Sequence, residues 1–272
     1  MGLSSVVQTA AVCDQVKALD QEFLNVCLVP GALQTQFQPI VNLELGRPSL
    51  WALECLTRGP SGSPHESAEV LFTHARRLNL EAEIDRACIA TALETANAGG
   101  LAQRLFVNVH PVTLERDRDF ARFLAFTARR CDITLDRIVV EVIERGRNSV
   151  GDELLNGLAS LRAVGVRIAL DDFGTGLADH AVLRDCAPDY LKIDGALFRA
   201  ARRSRAERQL LESVVHTCAA RGSAPIAEGI EDVWDLDMAV AGGITLAQGF
   251  FLGRPQPAAA INGGWSAERM PA

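Results

Sequence analysis

Apolar and polar positions along this chain alternate between two periods. From residue 36 onward, short apolar runs that suit strands are separated by longer stretches with apolar positions at helical spacing. The strand-like runs fall at 36–41, 51–58, 105–110, 138–144, 167–173, 190–194, 225–230 and 246–252, and helical stretches at 67–78, 81–98, 118–130, 151–164, 178–185, 205–221 and 233–241. Eight strands alternating with helices predict βα units around a largely parallel sheet. The first two strands are separated only by residues 42–50, too short for a helical crossover, so that pair is expected to be antiparallel. Upstream, Val12, Val16, Leu19, Phe23 and Cys27 stripe an amphipathic helix over 5–28, ended by Pro30 and Gly31.

Nearly every strand ends in groups suited to metal or phosphate chemistry. They are Glu54 and Arg58, Asn108, Glu141, Asp171 and Asp172, Lys192 and Asp194, Glu228, and Gln248. The (β/α)8 barrel gathers such strand ends at one mouth, and its usual size, about 250 residues, suits a chain of 272. Period-two geometry puts Glu54 with Arg58, and Lys192 with Asp194, on shared faces. Adjacent Asp171 and Asp172 can reach one site only if the strand stops and the backbone turns, which Gly174 and Gly176 would permit; the lesser reading of this stretch alone is that Asp172 caps a helix. So many converging acids repel one another without cations. An all-oxygen ligand set favours Mg2+ or Mn2+ over zinc, and a carboxylate able to bridge, such as Asp171, suggests two ions and phosphoester hydrolysis.

Composition narrows the partners. The net charge of −7 disfavours binding to a DNA or RNA polymer, and the charged run 199–208 is expected to be a solvated helix face. Seven scattered cysteines without a C-x-x-C pair disfavour a disulfide framework and a thiolate zinc site, and point to a reducing, cytoplasmic setting. Asp14, Lys17, Asp20 and Glu22 interrupt any membrane-length apolar run, so no membrane association is expected. Scattered His65, His74, His180 and His216 share no ligating spacing and are expected to be surface or core residues.

Eight motifs in order resemble the EAL-domain cyclic di-GMP phosphodiesterases over about residues 34–257. They are Gln38-Pro39-Ile40-Val41; Leu53-Glu54-Cys55-Leu56 with Arg58; Val107-Asn108-Val109; Glu141-Val142-Ile143-Glu144; Asp171-Asp172-Phe173-Gly174-Thr175-Gly176; Leu191-Lys192-Ile193-Asp194; Ala227-Glu228-Gly229-Ile230-Glu231; and Gln248-Gly249-Phe250 with Arg254-Pro255. The resemblance implies an α/β, modified TIM-like (β/α)8 barrel with an antiparallel first strand, an N-terminal helical extension over 1–33 and a tail over 258–272. It further implies hydrolysis of cyclic di-GMP to linear 5′-pGpG with two divalent ions, Mg2+ or Mn2+.

By that resemblance Glu54, Asn108, Glu141 and Asp171 ligate one ion, and Asp171 bridges to a second held by Asp172 and Glu228. Lys192 orients the attacking water, with Asp194 positioning Lys192 or that water. Gln248 contacts the same shell, Glu231 supports Glu228, and Glu144 anchors the 171–176 loop. Glu228 stays open as either ligand or general base. Gln38, Leu56, Arg58 and Arg254 are the expected substrate contacts, Arg58 to a phosphate. Homodimerisation and a regulatory protein partner are compatible with the resemblance.

Departures from the family pattern are Cys55, Gly59, His110 and the segment Leu177, Ala178, Asp179. Cys55 should face away from Glu54, and His110 is read as structural or at the rim because the oxygen set is complete without it. The altered segment bears on the second ion and on dimer contacts. It leaves a receptor that binds cyclic di-GMP without cutting it, and signals through a partner, as the alternative. A scaffold that ignores nucleotide is the third class.

Overall fold

The computed structural model describes residues 23, 26–44, 48–143, 150–173, 179–262 and 264–265, and for residues 143, 172 and 179–181 the backbone alone. Most of the helix expected over 5–28, and Glu144, lie outside these residues. Eight strands close into a barrel in sequence order: β1 (Gln34–Asn42), β2 (Ser49–Arg58), β3 (Arg104–Val109), β4 (Ile138–Ile143), β5 (Arg167–Phe173), β6 (Tyr190–Ile193), β7 (Ala224–Ala227) and β8 (Leu246–Gln248). β1 runs antiparallel to both β2 and β8, and every other neighbouring pair is parallel, so the short first connection correctly signalled the reversal.

The helices are α1 (Ala68–Leu78), α2 (Glu81–Ala98), α3 (Pro111–Arg116), α4 (Phe120–Arg130), α5 (Asp152–Ala163), α6 (Asp179–Cys186), α7 (Gly195–Arg203), α8 (Arg205–Arg221), α9 (Val233–Ala241) and α10 (Ala258–Asn262). Periodicity did not single out α3, α7 and α10, which are six, nine and five residues long. Ser204 breaks the charged run into α7 and α8; its side chain accepts the Glu207 N–H and caps α8.

Strand alternation divides the core in two. Outward residues such as Leu53, Leu105, Val140, Ile168 and Leu191 pack under the helices in one large cluster. Inside the barrel, each strand contributes one residue to a closed plug: Ile40, Ala52, Phe106, Val139, Ala169, Tyr190, Ile226 and Leu246. Trp51 seals it, with ring centroids 5.4 Å from Tyr190 and 5.9 Å from Phe106, and the Arg104 guanidinium lies over its face. Each fully buried large apolar side chain contributes roughly 1.5–3 kcal/mol. The plug also shuts water out from below, so polar groups stacked on it are solvated only from the mouth.

Candidate active site

Two residues beyond each plug residue, toward the C-terminal ends of the parallel strands, stands a polar side chain. Ala52 leads to Glu54, Phe106 to Asn108, Val139 to Glu141, Ala169 to Asp171, Tyr190 to Lys192, Ile226 to Glu228 and Leu246 to Gln248. On antiparallel β1 the count runs backward, from Ile40 to Gln38. Period-two geometry applied to a closed barrel thus stacks a polar ring on an apolar one.

Lys192, 1% exposed, forms the hub of that ring. Its Nζ lies 2.8 Å from Glu141 Oε1, 2.8 Å from Glu228 Oε1, 3.3 Å from Asp171 Oδ1 and 3.6 Å from Glu54 Oε2. Glu54 also accepts hydrogen bonds from the Asn108 amide (3.2 Å) and the Gln248 amide. Gln248 donates to Gln38 Oε1 (3.1 Å), and Gln38 donates to the Gly253 carbonyl (3.1 Å).

Four carboxylates face one ammonium, and the titration preferences follow. Burial by itself pushes the Lys192 amine down, but the four anions outweigh it and hold the group protonated. Burial, then the charge of Glu54, pushes Glu141 well above the carboxylate range. Glu228 is raised by burial against the opposing pull of Lys192.

Chemistry and geometry both bear on a metal. Among the described residues no three His, Cys, Asp or Glu side chains stand at ligating spacing, because the acids gather on Nζ instead. The donors nevertheless fit a hard divalent cation. Glu141 is fully buried, its Oε2 has no hydrogen-bond partner, and its Oε1 meets Lys192 at ion-pair distance without an aligned hydrogen bond. A buried carboxylate oxygen left in this state is costly unless a cation completes it. Glu54, Asn108, Glu141, Asp171 and Glu228 could hold such an ion through oxygen.

Asp171 and Asp172 reach the strand end by a route other than the expected stop. β5 continues to Phe173, but pairing with β6 slips, so that three steps from Leu170 to Phe173 oppose two from Leu191 to Ile193. This bulge flips the parity, and Phe173 joins Ile168 and Leu170 in the outer core. Residues 174–178, which hold most of the altered segment, lie outside the described residues.

Asp194 is engaged as the N-cap of α7, accepting the Ala196 N–H at 2.6 Å, a position Asp favours strongly. Glu231 is exposed, and its side chain makes no hydrogen bond to Glu228: Gly229, at φ +59°, turns the chain aside after β7. Gln248 binds Glu54 and Gln38 directly. At the rim, half-buried Arg58 donates to the Thr57 carbonyl, Leu56 is half-buried, and exposed Arg254 stacks on Phe250 at 4.3 Å. Cys55 faces the outer core, as alternation required.

His110 is structural. It caps α3, accepting the Val112 N–H on Nδ1 at 3.2 Å, while its backbone N–H donates to Asp85 Oδ2 at 2.8 Å. His65 and His74, unrelated by spacing, meet at 3.0 Å, with Phe23 stacked on His74. The sequence reading also passed over Glu81 and Asp85. Both sit on the apolar face of α2 with Cys88, Ile89 and Ala92, and acids on such a stripe are a legible signal. Burial raises the Asp85 carboxyl to about 7 against the opposing hydrogen bonds from Thr113 and His110.

Known proteins share this architecture. Residues 22–255 match the family model described as EAL domain. PdeA of Escherichia coli K12, named a probable cyclic di-GMP phosphodiesterase, is 27% identical over 186 residues, 67% of this chain and 25% of that protein. BluF of the same strain, a blue light- and temperature-regulated antirepressor, is 27% identical over 161 residues, 59% of this chain and 40% of BluF. The chain therefore spans less than half the length of these curated relatives. The solved complex of Klebsiella pneumoniae BlrP1 with manganese and cyclic di-GMP superposes with a TM-score of 0.76 at 28% identity, covering 85% of this chain and 57% of that one. With the family match running from before β1 to beyond β8 and the same barrel beneath it, the chain belongs to the EAL domain family.

Proposed function

We propose that this chain is a divalent-metal-dependent phosphodiesterase that opens cyclic di-GMP at one phosphodiester to give linear 5′-pGpG. The observation that carries the reading is the ring of Glu54, Asn108, Glu141, Asp171 and Glu228 around a protonated, buried Lys192. Mg2+ or Mn2+ held by these residues, with Asp171 and Asp172 serving a second ion, would supply polarisation of the phosphoryl oxygens and a more acidic water. Lys192 keeps its proton and orients water toward phosphorus. Glu228, open to the mouth, holds or accepts a proton from that water. As the new P–O bond forms, the P–O3′ bond breaks, and Arg58 offsets charge developing on the phosphate. Gln38, Gln248 and Asn108 keep Glu54 oriented. Leu56 and Arg254 line the approach, and Glu144 is assigned to the 171–176 loop.

The barrel over 34–257 is the catalytic unit in this reading, and a cytoplasmic setting suits the thiols, since the described cysteines are buried and form no disulfide with one another. No helix among the described residues is long and apolar enough to cross a membrane. Purified chain with Mg2+ or Mn2+ should convert cyclic di-GMP to 5′-pGpG, and Glu54→Ala should lower kcat by about 100-fold or more. Binding without cleavage under both metals would sink the enzyme reading. It would favour a receptor acting through a protein partner, a reading supported by the likeness to the antirepressor BluF.

A further inference from the structure

Lys192 and Glu228 pair at 2.8 Å across the ends of β6 and β7, and each is followed at once by a segment that leaves the sheet. β7 ends at Ala227, so Glu228 stands one residue past it, joined to β6 through its N–H, which donates to the Ile193 carbonyl at 3.0 Å. Gly229, at φ +59°, then turns the chain toward α9. The aim of the Glu228 side chain therefore depends on what holds residues 229–232.

α9 and α7 supply that hold. Asp235, in the first turn of α9 and 2% exposed, accepts the Glu231 N–H on Oδ2 at 3.2 Å. Its Oδ1 accepts from Arg202 Nη1 at 3.2 Å, and the same nitrogen reaches Asp232 Oδ2 at 3.1 Å. Arg202 belongs to α7, the element that continues from β6 and Lys192. The other end of α7 touches the turn as well: a Cβ on Gly195 would lie 2.9 Å from the Glu228 carbonyl oxygen and 3.0 Å from that of Gly229. The path from Lys192 through α7, Arg202, Asp235 and the Glu231 N–H back to Glu228 is a closed circuit of covalent and hydrogen-bonded links.

Capping α9 does not require this arrangement, because Asp232 already serves as N-cap and accepts the Asp235 N–H at 2.8 Å. Nor does stability: a buried ion pair contributes little net against well-packed apolar residues, and its better attested use is to fix one register. The exposed contact of Arg202 with Asp232 adds less still.

We propose that Arg202 and Asp235 are positioning residues, a clamp from α7 to α9 that holds the Glu228 carboxylate against the Lys192 ammonium in the geometry hydrolysis requires. The role rests on the phosphodiesterase reading. Glu228 acts at the attacking water in that reading, so releasing the clamp slows the chemical step and leaves nucleotide binding in place.

The test compares wild type with Arg202→Ala, Arg202→Lys, Asp235→Asn and the Arg202→Ala/Asp235→Asn double variant. Arg203→Ala, at an exposed neighbour on α7, is the control. In Mn2+, Arg202→Ala and Asp235→Asn should each lower kcat about tenfold or more, with KM, and Kd by calorimetry in Ca2+, within about twofold of wild type. Arg202→Lys keeps the charge and should recover part of the loss. The double variant should be no slower than the slower single one, and Arg203→Ala should match wild type. Metal-free crystal structures give a readout independent of turnover: in Arg202→Ala the Lys192 Nζ to Glu228 Oε1 separation should open past about 3.5 Å. Wild-type kcat in Arg202→Ala and Asp235→Asn, whatever their thermal midpoints, would make the contact merely structural and overturn the clamp while leaving the phosphodiesterase reading intact. An unchanged Lys192 to Glu228 separation, or losses that multiply in the double variant, would overturn it in the same way. A wild type that leaves cyclic di-GMP uncut overturns both.

Discussion

Lys192 shows how much one residue carries here. Its ammonium is the cation shared by four carboxylates in a pocket closed below by the Trp51 and Tyr190 rings. Lys192→Met leaves those acids uncompensated, so metal-free protein should lose about 3–5 kcal/mol of stability in denaturant titration. Saturating Mn2+ should recover part of that loss by binding the folded state alone, while turnover stays abolished. Asp85 works through pH. Its carboxyl is raised from 3.8 to about 7 on folding, so between those values the folded state binds more protons than the unfolded one. Stability from this group is therefore present at low pH, falls as pH rises toward 7 and is level above it. Between roughly pH 5 and pH 8 wild type should lose about 2–3 kcal/mol relative to Asp85→Asn, measured by urea unfolding of both at each pH. At this scale the sequence exposed most of the site. Glu54, Glu141, Asp171, Lys192 and Glu228 each stand out as a charge at the end of an apolar run. Asp194 and Glu231 shared that signature; the Asp194 carboxylate also caps α7, and Gly229 turns the chain before the exposed Glu231.

Elements place these residues through backbone contacts that leave no room for side chains. Gly249 follows β8 where the Ile230 N–H donates to the Gln248 carbonyl and the Phe251 N–H donates to the Ile230 carbonyl. A Cβ at Gly249 would lie 2.2 Å from Ile230 N and 2.6 Å from its carbonyl carbon. Gly249→Ala must therefore push β8 from the turn after β7, moving Gln248 and Glu228 together. The expected result is a loss of about 2 kcal/mol or more in stability with a fall in kcat, checked by paired unfolding and turnover measurements. The β5 bulge belongs to this scale too. An apolar run ending in Asp171 and Asp172 marks where chemistry begins. Register depends on the neighbouring strand, however, so the extra residue opposite β6 becomes visible only once the two are paired.

For the whole molecule, closure of the barrel depends on residues downstream of β8. The Phe37 N–H donates to the Gln256 carbonyl at 2.8 Å, and the Gln256 N–H donates to the Phe37 carbonyl at 3.1 Å. Gly253 accepts from Gln38, and Ala258 and Ile261 are buried beside the barrel. Ending the chain before residue 253 should lower the thermal midpoint by about 5 °C or more and free Gln38 from its ring orientation, read by differential scanning calorimetry and KM. The sequence by itself determined the eight strands, the reversal of β1 and most members of the polar ring, because period-two alternation and the length of a connection are local properties of the chain. Only the tertiary structure decided which ring members touch Lys192, that His65 meets His74, and that Arg202 meets Asp235. Those are distances between residues far apart in the chain, set by closure of the sheet and by helices packing on it, and no local pattern encodes them.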